Sequence, residues 1–262
     1  MERNQANYLH ASFGLDGKRA LVTGASRGIG RAVAGALASA GAEVLVHYHR
    51  NEAAARDVVA QITRNGGSAW CAGADLSHSA PVGHLFAEIE QHWGTLDILV
   101  NNAGDAVQRA PLVNTDDELM GRILAVNLES CLRVTRAAIP LLRRGKQPAI
   151  VNMTSMAAHQ GGLGGVSVYA ATKGAILSLT RSLARELAPQ IRVNAISPGV
   201  ILTDMHRRLS DDQQLSHIAK NTPLERLGEP EDCVGAVVFL CSTAAAFITG
   251  EVIEVNGGLW MS

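Results

Sequence analysis

Two groups of residues in this chain have the types and the spacing to do chemistry. The first is Thr23-Gly24-Ala25-Ser26-Arg27-Gly28-Ile29-Gly30, which follows an apolar run and precedes an alanine-rich segment. Glycines at 24, 28 and 30 suit a sharp turn off a strand, a close approach of backbone to a pyrophosphate, and tight packing of the next helix on the sheet. The free N–H groups at that helix start would face the phosphates. No GK[ST] follows, so the loop is not of the Walker type. The second group is Tyr169 and Lys173, four apart in a segment that reads as helix and therefore on one face. A phenol titrates near about 10 and exchanges protons poorly at neutral pH. A neighbouring ammonium is expected to favour the phenolate and lower that value, which makes Tyr169 a candidate proton donor and acceptor.

These groups lie far apart in sequence, so the fold must bring them together. Apolar runs at Lys18–Thr23, Glu43–Tyr48, Ser68–Cys71, Leu96–Val100, Ala149–Met153, Ile191–Ile196 and Glu251–Val255 read as strands. Helical patterns alternate with them at Arg31–Ala40, Asn51–Asn65, His84–Trp93, Leu119–Arg144, Tyr169–Leu187 and Cys233–Cys241. Continuous apolar strands are buried on both faces. The alternation predicts an α/β fold: a single-domain, Rossmann-like, doubly wound parallel sheet of about seven strands with helices on both faces. The expected domain runs over 18–262 after an N-terminal extension, 1–17. Ser197 to about Glu229 lacks a clear pattern and is expected to be an irregular lid or a disordered segment.

Composition narrows the function. The chain has 262 residues, 47% hydrophobic and 18% charged, with net charge −1 and 4% aromatics. That balance is globular, and it argues against nucleic-acid or anionic-membrane binding and against a base-stacking surface. Gly235–Gly250 is too short to span a bilayer, and Met1–Gly17 carries no apolar signal core. Cys71, Cys131, Cys233 and Cys241 form no CxxC pair and read as reduced core thiols in a cytoplasmic protein. The nine histidines include no HExxH pair, so no metal site is expected. The end of the second strand, Val46-His47-Tyr48-His49-Arg50-Asn51, offers no carboxylate for a ribose 2′-hydroxyl, and Glu43 lies at the other end. Arg27 and Arg50 can bracket a 2′-phosphate instead, so NADP(H) is the expected cofactor, with NAD(H) the alternative.

With these residues in place, the chain resembles the short-chain dehydrogenase/reductase family from about Lys18 to Gly258. The resemblance rests on Gly24-xxx-Gly28-x-Gly30, Asp75-Leu76, Asn101-Asn102-Ala103-Gly104, Asn127, Ser155, Tyr169-xxx-Lys173, Pro198-Gly199 with Thr203, and the tail Asn256-Gly257-Gly258. It implies that Tyr169 exchanges a proton with a carbonyl or alcohol oxygen while hydride moves. Ser155 would hydrogen-bond that oxygen, as an oxyanion hole does. Lys173 would also bind the nicotinamide ribose, and Asn127 would hold a relay water. Asp75 and Leu76 are expected at the adenine, Asn102, Ala103 and Gly104 at the adenosine, and Pro198, Gly199 and Thr203 near the carboxamide and phosphates. Ser155 and Tyr169 are 14 apart, one more than the commonest spacing in the family, and the glycine loop Gly161–Gly165 is where the extra residue can be absorbed.

The resemblance is about equal to 3-oxoacyl-acyl-carrier-protein reductases and to bacterial sugar or polyol dehydrogenases. The oxoacyl thioester is the favoured expectation, with Arg109, Arg207 and Arg208 as a basic patch for an acidic carrier. Substrate choice is placed in Asp105–Pro111, His159–Val168 and Leu202–Asn221. A non-catalytic dinucleotide-binding scaffold is the other class, and a pure binder has no need of the full Asn127, Ser155, Tyr169, Lys173 set. Apolar surface on the helices from Leu119 and from Tyr169 exceeds what one sheet face can cover, which with the resemblance points to a homotetramer. Trp260 and Met261 are candidates to join its interface.

Overall fold

The structure is a computed structural model and describes residues 11–261. Seven strands, β1 (Arg19–Val22), β2 (Glu43–Tyr48), β3 (Ser68–Gly73), β4 (Ile98–Asn101), β5 (Ala149–Met153), β6 (Arg192–Pro198) and β7 (Val252–Val255), form one sheet in the order β3-β2-β1-β4-β5-β6-β7. Every pairing is parallel. The connecting helices are α1 (Gly28–Ser39), α2 (Glu52–Arg64), α3 (Ser79–Trp93), α4 (Asp117–Leu124), α5 (Ser130–Leu142), α6 (Ala157–Gln160), α7 (Ser167–Leu187), α8 (Asp204–Leu209), α9 (Asp212–Asn221) and α10 (Val234–Cys241).

Alternate side chains of each strand enter opposite cores. Ala20, Val22, Val44, Val46, Val100 and Val151 pack under α1, α2 and α10. Leu21, Leu45, Leu99, Ile150 and Val193 pack under α3, α5 and α7. Period-two alternation with both faces apolar is why the strands read as unbroken hydrophobic runs. The order in which successive strands are added reverses between β1 and β4, and the carboxyl ends of the strands open a crevice there.

Four elements differ from expectation. Residues 197–229 are not irregular: β6 extends to Pro198, and α8 and α9 follow. Both helices lack buried residues, so no apolar periodicity marks them, and α9 begins on a capping box between Asp211 and Gln214. The long helix from 119 starts earlier, with Asp116 capping the Leu119 N–H, and is interrupted by a π-helical stretch, Ala125–Glu129. Helix α3 starts at Ser79 rather than 84, its apolar face beginning at Val82. Residues 11–17 of the expected extension lie on the domain: Leu15 is buried in the core and Thr243 Oγ1 donates to the Ser12 carbonyl. Residues 1–10 lie outside the described residues.

A buried polar chain ties the sheet to the helices that bear on the crevice. Asn101 and Asn152 are neighbours in register on β4 and β5. Asn101 Nδ2 donates to Asn152 Oδ1 and to Thr135 Oγ1 on α5, and Asn152 Nδ2 donates to Thr180 Oγ1 on α7. Asn152→Ala removes two of these bonds in a water-free place. It is expected to lower unfolding free energy by about 2–3 kcal/mol, read as a shifted urea midpoint with an unchanged slope.

Candidate active site

The glycine-rich turn leaves β1 as expected. Gly24 and Gly28 take φ of +63° and +54°, where a side chain is strained. A Cβ on Gly30 would run into Asn102 Nδ2 and the Gly24 carbonyl, so the third glycine is required by close packing. Helix α1 then starts at Gly28 after Arg27 with no side-chain cap and no acidic residue in its first turn. Its first N–H groups are open to an anion. Thr203 stands against the turn, its Cγ2 3.3 Å from where a Gly28 Cβ would lie, and Arg27 Nη1 is 3.6 Å from Asp204 Oδ2.

Three residues brace this turn. Thr23 Oγ1 accepts from the backbone N–H groups of Asn102 and Ala103, each at 2.9 Å. Asn102 Nδ2 donates to the Thr23 carbonyl at 2.8 Å and to the Gly24 carbonyl at 3.1 Å. His47 takes the Gly24 N–H on Nδ1 at 3.0 Å, and its Nε2 lies 3.0 Å from the Ala74 carbonyl. Both contacts are satisfied by the neutral imidazole with its proton on Nε2. Burial, with His49 adding to it, holds His47 down at about 4, the Ala74 carbonyl notwithstanding. His47 therefore links the turn to the loop before Asp75. The Asp75 carboxylate is stitched into that loop, accepting from Ser77 N at 3.0 Å and from Ser77 Oγ at 2.5 Å. Burial opposes its ionisation, but these bonds, with His49 and His78, win and hold it at about 2.

The expected reaction group converges on the far side of the crevice. Lys173 is buried, its Nζ 2.8 Å from the Met153 carbonyl and 5.6 Å from the centre of the Tyr169 ring. Asn127 lies within the π-helical stretch, fully buried. Its Nδ2 donates to the carbonyls of Asp105 and Ile123, and its Oδ1 accepts the Asp105 N–H at 3.1 Å. A Cβ on Gly104 would sit 2.7 Å from Asn127 Oδ1 and 3.3 Å from Lys173 Nζ, so that glycine keeps the space beside the lysine open. Ser155 Oγ accepts the Ala157 N–H and lies close enough to the Tyr169 phenol to favour its ionised form. The loop between Ser155 and Tyr169 turns on Gly161, Gly162 and Gly165, all at positive φ.

One electrostatic expectation is reversed. Burial pushes the Tyr169 phenol up to about 12, with Ser155 opposing and Asp105 adding to the rise. Lys173 does not offset this, because its ammonium lies toward Met153 and burial brings it down to about 8. Desolvation outweighs the pair's mutual effect.

The mouth is lined by charged groups that hold one another. Arg208 of α8 pairs with Asp105, whose Oδ1 also takes the Val107 N–H, holding Val107 at φ +63°. Arg109 Nη2 reaches Ser210 Oγ at 3.4 Å. Arg50 is exposed just past β2 with no carboxylate between it and Tyr48. Pro198 ends β6, and Gly199 packs where a Cβ would lie 2.8 Å from Asn256. His159, placed among substrate-facing residues by the sequence, instead stacks on Trp260 at 3.9 Å and lies 3.2 Å from Glu254. Trp260 is thus engaged within its own chain. Sequence reasoning gave no role to Thr23, His47 or the Asp105–Arg208 pair. The signal for His47 was present: it is the one ionisable residue between the ends of a strand otherwise fit for burial on both faces.

This arrangement of turn, crevice and Tyr-Lys pair on a parallel sheet is that of a nucleotide-dependent oxidoreductase. A family model described as enoyl-(acyl carrier protein) reductase matches residues 24–260. The chain is 38% identical over 245 residues to the 3-oxoacyl-[acyl-carrier-protein] reductase of Staphylococcus epidermidis, covering 93% of this chain and 99% of that one. Among solved structures, the gluconate 5-dehydrogenase of Burkholderia cenocepacia in complex with NADP and tartrate superposes with a TM-score of 0.89 at 34% identity, covering 96% and 98% of the two chains. A 7α-hydroxysteroid dehydrogenase complexed with NADH and 7-oxo glycochenodeoxycholic acid gives 0.90 at 34%, covering 95% and 96%. The chain belongs to the short-chain dehydrogenase/reductase family. It is an oxidoreductase, and its neighbours include both NADP and NADH complexes.

The state of His47 sets a pH dependence. Its folded value of about 4 lies below the ordinary 6.5, so between them the unfolded chain takes up a proton that the folded one refuses. Stability is expected to be flat above pH 7 and to fall by up to about 3 kcal/mol as pH drops from 6.5 to 4. The gap in denaturation midpoint between wild type and His47→Gln should therefore shrink from pH 7.5 to pH 5.

Proposed function

We propose that the protein interconverts a ketone and a secondary alcohol, with NADP(H) as the preferred hydride carrier. The observation that carries this reading is the grouping of the Tyr169 phenol with the Ser155 side chain and, 5.6 Å from the tyrosine ring, the Lys173 ammonium, beside which Gly104 leaves space. The turn suits a dinucleotide: an uncapped α1 for the pyrophosphate, and small residues at Gly24, Ala103 and Gly104 for close approach. The nicotinamide supplies or accepts the hydride, and the protein moves the proton. Tyr169 is protonated at neutral pH and donates to the carbonyl oxygen in reduction. Ser155 hydrogen-bonds the same oxygen as charge grows on it. Lys173 holds the nicotinamide ribose through its remaining N–H groups. Asn127 Oδ1 keeps one lone pair free for a relay water behind the lysine. Asp75 and Leu76 face the adenine, and Pro198, Gly199 and Thr203 close over the nicotinamide end. A cytoplasmic homotetramer completes the reading.

For the substrate, the mouth favours a small free molecule of the sugar or hydroxy-acid kind over a carrier-bound thioester. Of the three arginines expected to meet an acidic carrier, Arg208 is paired with Asp105 and Arg109 has its Nε buried beside the Gly165 loop, out of reach of a protein surface, which leaves Arg207 outward. The 3-oxoacyl thioester is the second reading, supported by the Staphylococcus epidermidis relative. Tyr169→Phe should cut turnover by at least about 100-fold with cofactor affinity retained, the range expected on losing a general acid. Unchanged turnover of D-gluconate and of acetoacetyl-N-acetylcysteamine alike in that variant would refute the assignment.

Cofactor choice has its own measurement. On this reading Arg27 in the turn and Arg50 past β2 bracket a 2′-phosphate, so fluorescence titration should give a lower Kd for NADPH than for NADH. Arg50→Glu should weaken NADPH by about tenfold, the scale of one lost charge-assisted contact, and leave NADH nearly unchanged.

A further inference from the structure

Arg109 is a partly buried cation at the mouth whose donors are not all met. Its Nε–H is buried with no hydrogen-bond partner, and its Nη2 makes one long contact, 3.4 Å, to Ser210 Oγ. Among the described residues no carboxylate pairs with it, whereas Arg208 and Arg27 lie against Asp105 and Asp204. Nor is it a loose surface group. The next residue donates its N–H to the Gly165 carbonyl at 2.9 Å, and a Cβ on Gly165 would lie 3.5 Å from Arg109 Cβ. That fixes the base of the arginine against the loop joining Ser155 to Tyr169, on the substrate side of the crevice. His206, on α8, is half-buried beside it and is held below its ordinary value by burial and by the Arg109 charge, so it stands neutral there.

Nε–H and Nη2–H lie on one edge of a guanidinium and form a two-pronged fork whose spacing fits the two oxygens of a carboxylate. An unmet buried donor is costly, and a carboxylate arriving under α8 would satisfy it. Resting on the oxidoreductase reading above, we propose that Arg109, assisted by His206 and Ser210 on the lid, binds the carboxylate of the substrate, and that the enzyme selects small hydroxy acids and oxo acids over neutral alcohols and ketones. The arginine anchors the end of the molecule remote from the reacting carbon, so its effect falls on binding. Uniform binding of this kind appears in KM more than in kcat.

The test compares D-gluconate with D-glucitol, which share a chain and differ in having a carboxylate or a hydroxymethyl end, using cofactor-loaded enzyme. Wild type should favour gluconate in kcat/KM by at least tenfold. Arg109→Gln should raise KM for gluconate at least tenfold with kcat within threefold, and change glucitol less than threefold. Arg109→Lys, which keeps charge and bulk but loses the fork, should fall between and guards against a folding defect. Equal losses on both compounds, or none, would overturn the proposal while leaving the oxidoreductase reading intact. Gluconate binding by calorimetry that depends on Arg109 but is followed by no hydride transfer would uphold the anchor and remove the reaction instead.

Discussion

A buried ammonium without a carboxylate partner is the constraint around which the site is built. Lys173 is almost completely enclosed, and its hydrogen bond is to a backbone carbonyl, that of Met153. Its value of about 8 against an ordinary 10.5 corresponds to about 3 kcal/mol of folding stability forgone at neutral pH, regained as pH rises from 8 towards 10.5. Such a group persists only where surrounding packing over-determines it. Here the packing is visible: α7 is tied to β5 by the Asn152–Thr180 bond and by Thr154 Oγ1, which donates to the Lys173 carbonyl itself at 3.0 Å. The stability lies in the sheet and its two apolar cores, and the site draws on it.

The same division explains what could be read from sequence. Strands buried on both faces are unbroken apolar runs, and the glycines at 24, 28 and 30 each answer a separate backbone demand, so fold and cofactor turn were legible. The tyrosine and lysine were legible as a pair because helical spacing fixes their common face. The direction of the Tyr169 shift was not, because sequence spacing gives proximity and carries no measure of desolvation. Nor were α8 and α9, which hold their place by ion pairs and caps rather than by an apolar stripe. His47 shows the limit most plainly. Its oddity in the strand was readable, but its task, bracing a turn 23 residues earlier, exists only once β1 and β2 are side by side.

Asp105 then links the parts that the sequence left separate. Its backbone is gripped on both sides by the Asn127 amide, its carboxylate pairs with Arg208 on α8, and its charge contributes to the high proton affinity of Tyr169. A carboxylate neutralised by a guanidinium acts weakly on a phenol nearby, and the same carboxylate alone acts strongly. The Arg208 pairing therefore tempers the field by which Asp105 keeps the phenol protonated, and desolvation remains the larger cause.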